Sequence, residues 1–274
     1  MRMRSSRIRI AVVAIALALG ACGERKVTTE MRGDLRIDRV DQAFDLDDRI
    51  RRVAIDNPWG EINIRGRDER EVGIHAVVQR LPPRHADVRF TAKRDGDTLR
   101  IDVVADCATS DTPATCARAD LAVFVPTDLA LSLTTRDSRI AATRRTGPIE
   151  ATSDSGEIHA SSLDRLTLHS ESGQIRAIAI GKRWESASAI TTNSGRIVLL
   201  VPTFGDVALE ASTAGPLRSG FGLSVHTLAD GTHEAHARYG AGVSPLQARS
   251  KTGEIVLDQL VLLGDDSRLP EDDD

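Results

Sequence analysis

From Gly60 onward the chain seven times places a glycine, one variable residue and then isoleucine or leucine. The strings are Gly60-Glu61-Ile62, Gly147-Pro148-Ile149, Gly156-Glu157-Ile158, Gly173-Gln174-Ile175, Gly195-Arg196-Ile197, Gly215-Pro216-Leu217 and Gly253-Glu254-Ile255. From Gly156 the steps are 17, 22, 20 and 38 residues, and the last is close to two ordinary steps. Self-similarity at a period near 20, with strand-forming residues in every unit, predicts an all-β solenoid of about 17–22 residues per coil.

Aligned on the glycine, the units share a second pattern. Upstream of Gly173 stand Leu166, Leu168, Ser170 and Ser172, and beyond it Ile175 and Ala177. The matching sets are Ile149, Ala151, Ser153, Ser155, Ile158 and Ala160, then Ser188, Ile190, Thr192, Ser194, Ile197 and Leu199. Alternate residues of a strand share a face, so each set of six is expected to point into one interior. Hydroxyls beside the corner can satisfy turn backbone groups at low volume. The corner glycines Gly60, Gly156, Gly173, Gly195, Gly215 and Gly253 are expected where the backbone takes a conformation, at positive φ, that a Cβ resists. Thr135-Arg136-Asp137-Ser138-Arg139-Ile140 reads as a degenerate unit without its glycine.

The N-terminus carries an address. Arg2, Arg4, Arg7 and Arg9 precede the apolar run Ile10 to Leu19, and Leu19-Gly20-Ala21-Cys22 follows. A basic start, a short apolar stretch and small residues before a cut make a signal peptide, here 1–21. The cysteine at the cut makes it a lipobox. Cys22 is therefore expected to carry a diacylglycerol, and acyl chains hold a protein to a membrane at about 0.8 kcal/mol per buried methylene. The expected location is the bacterial cell envelope. Gly23 stands where lipoproteins retained at the inner membrane have Asp, which favours the outer membrane in a Gram-negative cell.

Beyond the cut, 22–36 is polar and reads as a flexible tether. The part over 37–130 alternates apolar and polar residues in short runs, such as Arg52-Val-Ala-Ile-Asp56 and Thr98-Leu-Arg-Ile-Asp-Val-Val104, and reads as β-rich. The repeats occupy 131–263. A glycine-rich insertion at 218–244, with the turn signal Asp230-Gly231, reads as a hairpin or lateral loop. The acidic tail 264–274 reads as disordered.

Composition narrows the partners. Aromatics are 3% of the chain, too few for a groove that stacks bases or sugar rings. Removing the four N-terminal positive charges from the net −4 leaves −8, with no basic cluster after the leader, so nucleic acid is excluded as a partner. The membrane, through Cys22, and an envelope protein or glycan are the partners expected. Cys107 and Cys116 flank a Thr/Ser/Pro loop, and in an oxidising compartment a local disulfide is the default reading. A metal pair is its rival.

Carboxylates that fall into columns are the candidates for chemistry. Asp154, Glu157 and Glu171 fall beside successive corners and form the one acidic patch the repeat suggests. Enzymes that cut acidic polysaccharides use such groups on stacked strands. The competing reading is a solvated face relieved by Asn193, Arg196 and Lys251. His226, His233 and His236 lack the spacing of a metal motif, and no cofactor fingerprint occurs. No catalytic residue, metal or cofactor is expected.

The strings Asn57-Pro-Trp-Gly-Glu-Ile-Asn-Ile, Ser153-Asp-Ser-Gly-Glu-Ile, Glu171-Ser-Gly-Gln-Ile, Asn193-Ser-Gly-Arg-Ile and Lys251-Thr-Gly-Glu-Ile-Val-Leu resemble the putative-adhesin β-strand-repeat domains of bacterial envelope lipoproteins. The resemblance runs from about Arg52 to Leu263 and implies a right-handed parallel β-helix. It brings no catalytic residues with it. The function expected is a non-enzymatic binding or scaffold module. The alternatives are a polysaccharide-active enzyme on the same fold and an envelope sensor that binds another membrane protein.

Overall fold

The structure is a computed structural model that describes residues 25–83, 85–108 and 110–261. Cys22 and the acidic tail lie outside the described residues. Among those described there are no helices. The N-terminal strands are β1 (Lys26–Arg32), β2 (Leu35–Asp45), β3 (Arg52–Asp56), β4 (Ile62–Arg67), β5 (Glu71–Arg80), β6 (Val88–Asp95), β7 (Thr98–Ala105) and β8 (Ala117–Pro126). The repeats supply β9 (Ala130–Thr135), β10 (Ile140–Arg145), β11 (Ile149–Ser153), β12 (Ile158–Ser162), β13 (Leu166–Ser170), β14 (Ile175–Ala179), β15 (Ser188–Thr192) and β16 (Ile197–Val201). The C-terminal strands are β17 (Val207–Thr213), β18 (Leu217–Ser219), β19 (His226–Thr227), β20 (His233–Arg238), β21 (Ser244–Ser250) and β22 (Ile255–Gln259).

They build two mixed sheets of 11 strands each, and neither closes into a barrel. From β9 to β18 the chain alternates between the sheets, and within each sheet these strands pair in parallel. The register explains the Gly-x-Ile string. Leu121, Ile62, Ile140, Ile158, Ile175, Ile197, Ile255 and Leu217 are successive partners in the first sheet, one aliphatic side chain above the next. All are buried. In the second sheet Leu131, Ile149 and Leu166 stack in the same way, with Leu133, Ala151, Leu168 and Ile190 beside them. A parallel sheet needs such cover on its inner face, and here each sheet gives it to the other.

The corner glycines have a different cause from the expected one. None of the six lies at positive φ; among the described glycines that region holds Gly33, Gly96, Gly222, Gly231, Gly240 and Gly242. The constraint is close approach. A Cβ on Gly173 would lie 2.1 Å from the Gly156 carbonyl oxygen, and one on Gly195 would lie 2.0 Å from that of Gly173. The turns stack so tightly that only a hydrogen atom fits between them. Hydroxyls three residues upstream accept the corner N–H: Gly156 donates to Ser153 Oγ (2.8 Å), Gly173 to Ser170 Oγ (2.9 Å) and Gly195 to Thr192 Oγ1 (2.9 Å). Ser155, Ser172 and Ser194, expected inside, are exposed. The two residues ahead of each glycine span the turn, where strand alternation stops, and the glycine takes the inner position.

The N-terminal part shares both sheets with the repeats, since β4 pairs with β10 and β3 with β9. Within the segment 22–36, expected to be a tether, Lys26–Arg32 is a strand paired residue by residue with β2. Its exposed, polar sequence hid that pairing. The fold departs from a simple succession at the other end. β21 and β22 pair with β15 and β16 on one side and with β17 and β18 on the other. The last unit thus lies between two earlier ones. The glycine-rich segment supplies β19 and β20, an antiparallel hairpin that covers the outer edge of β17.

Arg145 is a charge inside this core. It is buried, and its guanidinium donates to the carbonyls of Val125 (3.0 Å), Pro126 and Leu129 (3.5 Å). Desolvation lowers its pKa to about 10, with the Asp128 charge opposing the shift.

Candidate functional site

The outward positions of β9, β11, β13, β15, β21 and β17 form one continuous face. Partnered residues across it read Thr134, Thr152, His169, Thr191, Arg249 and Ser212, and beside them Ser132, Glu150, Thr167, Ala189, Gln247 and Glu210. With strands about 4.8 Å apart, six of them span about 24 Å. Every one of these residues is exposed or half-buried. Hydrogen bonds cross the strands: His169 Nδ1 lies 2.9 Å from Thr191 Oγ1, and Gln247 Nε2 donates to Glu210 at 3.2 Å. The face is largely polar and of mixed charge. The outer face of the first sheet differs, with half-buried Ile178, Val198, Leu200 and Val256.

The acidic patch lies at the corner beside this face. Asp154 and Glu171 are exposed and Glu157 is half-buried. Glu171 meets His169 Nε2 at 3.1 Å and the amide of Asn193. Glu157 faces Arg139 at 3.9 Å. The same corner continues as a ladder of opposite charges. Arg118 holds Glu61 (2.6 Å) and Asp120 (2.8 Å), while Glu254 holds Arg196 (3.0 Å) and Arg218 (3.2 Å). Glu157, Glu61, Asp120 and Glu254 thus have cationic partners along this corner, whereas Glu171 meets a histidine and an amide and Asp154 is exposed.

A closer acid pair was not anticipated. Asp56 and Asp102 are direct partners on β3 and β7. Desolvation first, and then the Asp102 charge, raise the Asp56 pKa, against the pull of Arg100. The strings that contain Asp56 and Asp102 are legible as strands, but their adjacency depends on which strands pair.

A groove of about 500 Å³ lies at the opposite corner, lined by Thr146, Pro148, Asp164, Arg165, Arg183 and Glu185 among others. It exists because the segment between β14 and β15 is longer than its neighbours, which is the 22-residue step of the repeat. That segment is pinned by Trp184, which exchanges backbone hydrogen bonds with Ser244 Oγ (2.9 and 3.0 Å) and donates from its indole to Pro245 O (3.2 Å).

Cys107 and Cys116 form a disulfide, with sulfurs 2.04 Å apart. Asp111 lies beside them, but bonded sulfurs offer no thiolate to a metal. The loop they close meets the first corner, where Arg136 donates to Asp111 O (2.8 Å) and lies over the Trp59 ring. Strand alternation sends His233 and His236 to opposite faces of β20, so they do not converge. His233 instead meets Thr227 Oγ1 at 3.0 Å.

No protein-family model matches the chain, and no curated protein matches it. Solved structures do resemble it. A "putative cell adhesion protein" from Clostridium sporogenes aligns with a TM-score of 0.50 at 9% identity, covering 80% of this chain and 99% of the other. A "putative adhesin" from Bacteroides fragilis aligns with a TM-score of 0.33 at 11% identity, covering 81% and 97%. At such identities the first likeness concerns the fold.

Proposed function

We propose that the protein is a lipid-anchored, non-enzymatic binding module of the bacterial cell envelope, adhesin-like in action, whose paired sheets form a right-handed β-helix. Alternation of successive strands between two parallel-paired sheets supports that fold reading. The lipobox at Cys22 supports the anchor. The observation that carries the function is the continuous, largely polar face from Thr134 to Ser212. Repeated exposed positions at fixed spacing suit an extended partner, an envelope glycan or a protein segment. The adhesion-related name of the Clostridium sporogenes protein of similar fold agrees with this reading. In a Gram-negative cell the outer membrane is the site proposed.

The acid columns supply the test. On a panel of acidic polysaccharides the protein is expected to release no sugar fragments, and Asp154→Asn should behave as the parent. Fragment release that stops on Asp154→Asn would replace the binding module with a polysaccharide-active enzyme.

A further inference from the structure

The two sheets are of unequal reach at the N-terminal end. Beyond β10 the first sheet continues through β4, β8, β5, β2 and β1, whereas beyond β9 the second has only β3, β7 and β6. β2 and β1 therefore overhang. Side chains of direct antiparallel partners lie on one side of a sheet. Val27 is partnered with Val40 and Thr29 with Asp38, and both partners are buried on the inner side. Val27, Thr29 and Met31 thus face inward where the opposite sheet has ended. Val27 is 41% exposed and Met31 57%. Arg25 and Lys26 stand at the start of this strand. The result is an apolar lip with two positive charges at one end, on the outermost strand of the stack.

We propose that this lip seats in the headgroup region of the bilayer that holds the Cys22 lipid, so that the stack stands end-on to the membrane. The inference rests on the lipid-anchor reading. Four residue steps separate Cys22 from Lys26, and an extended chain of that length spans at most about 14 Å. An acyl group on Cys22 therefore keeps β1 within that distance of the headgroups. Apolar side chains flanked by cations suit that interface, where positive charge meets anionic lipid. The free edge of β1 needs hydrogen-bond partners, which headgroups and interfacial water supply and hydrocarbon does not. Strands run across the stack, so an end-on stack lays β1 along the membrane plane. β18 then stands ten strand steps away, about 48 Å. The polar face of β9 to β17 rises along the side, clear of the lipid.

The test uses full-length protein in phosphatidylethanolamine–phosphatidylglycerol vesicles, with acyl status read by intact mass. A fluorophore is placed at Asp34→Cys, in the turn beside the lip, or at Ser219→Cys at the far end, and energy transfer to an acceptor lipid is measured. Strong transfer from position 34 and several-fold weaker transfer from 219 are expected. Val27→Ser with Met31→Ser should keep the acyl mass and reduce transfer from position 34. Equal transfer from both positions in acylated protein would overturn the end-on seat alone. Transfer between copies labelled at 34, without transfer to lipid, would assign the lip to a second copy and also overturn it. A chain without the diacylglycerol mass would overturn the anchor and the seat together.

Discussion

Gly173 lies directly against Gly156 of the neighbouring turn, so that a Cβ on Gly173 would sit 2.1 Å from the Gly156 carbonyl oxygen. Gly173→Val must push two turns apart and loosen the hydrogen bond from the Gly173 N–H to Ser170 Oγ. A loss of about 3 kcal/mol or more is expected, at the upper range of overpacking. Glu171→Gln, two residues away on the solvent side, should stay within about 0.5 kcal/mol. Urea unfolding of both variants checks the ranking, and the reverse order would mean the turn register is misassigned.

The Cys107–Cys116 bond closes a short loop against the Arg136 corner. By loop-closure entropy, replacing both cysteines by serine should cost about 2–3 kcal/mol. Unfolding midpoints of parent and variant measure it. Free thiols titrated in protein taken from an oxidising compartment would argue against the bond.

Asp38 gives a pH dependence with a definite sign. Its carboxylate is almost wholly buried and accepts from Thr29 Oγ1 (2.7 Å), Arg80 Nε (2.7 Å) and Arg36 Nε (3.0 Å). Desolvation pushes its pKa upward, but these three hydrogen bonds and the Arg36 charge together outweigh it and hold the value below the usual range. A depressed folded-state pKa stabilises fully above the unfolded value, about 3.9, and that contribution is lost as pH falls through the folded one. Asp38→Asn should therefore be less stable than the parent at pH 7, with a shallower loss of stability below about pH 4. Removing one member of a buried pair costs about 3–5 kcal/mol, which sets the scale at pH 7. Parallel acid limbs in parent and variant would show that Asp38 does not carry the effect.

How far the sequence exposes this structure depends on the range of each interaction. Local relations were legible: the strand runs, the hydroxyl three residues before Gly156, Gly173 and Gly195, and the degenerate turn at Ser138, whose carbonyl approaches Gly156. Relations between units were not. The Gly173 requirement is set by a neighbouring backbone, and a single chain pattern cannot distinguish that from a strained φ. Nor does periodicity tell which unit lies beside which, so the place of Ile255 between Ile197 and Leu217 was hidden. Nothing in the sequence sets Arg145 apart from the other arginines, because the carbonyls of Val125 and Leu129 that receive it come from earlier strands and turns. At the candidate site, Thr152 and Thr191 were visible only as outward strand positions. Their union into one face follows from strand order.

Cys22→Ser tests the anchor. The variant should leave the membrane fraction or keep its leader uncut, as read by fractionation and intact mass. Unchanged processing and membrane association would reject lipidation at Cys22.

Binding of an extended partner by the polar face of the second sheet is the proposed function, and photo-crosslinking in intact cells reads it without intermediaries. A photoreactive residue at Thr152 or Thr191 should trap a discrete adduct. The same residue at Val198, on the outer face of the first sheet, should not, and Glu210→Arg should weaken the Thr191 adduct. Adducts of equal yield from both sheets, or none from Thr152 and Thr191 in correctly localised protein, would contradict the account.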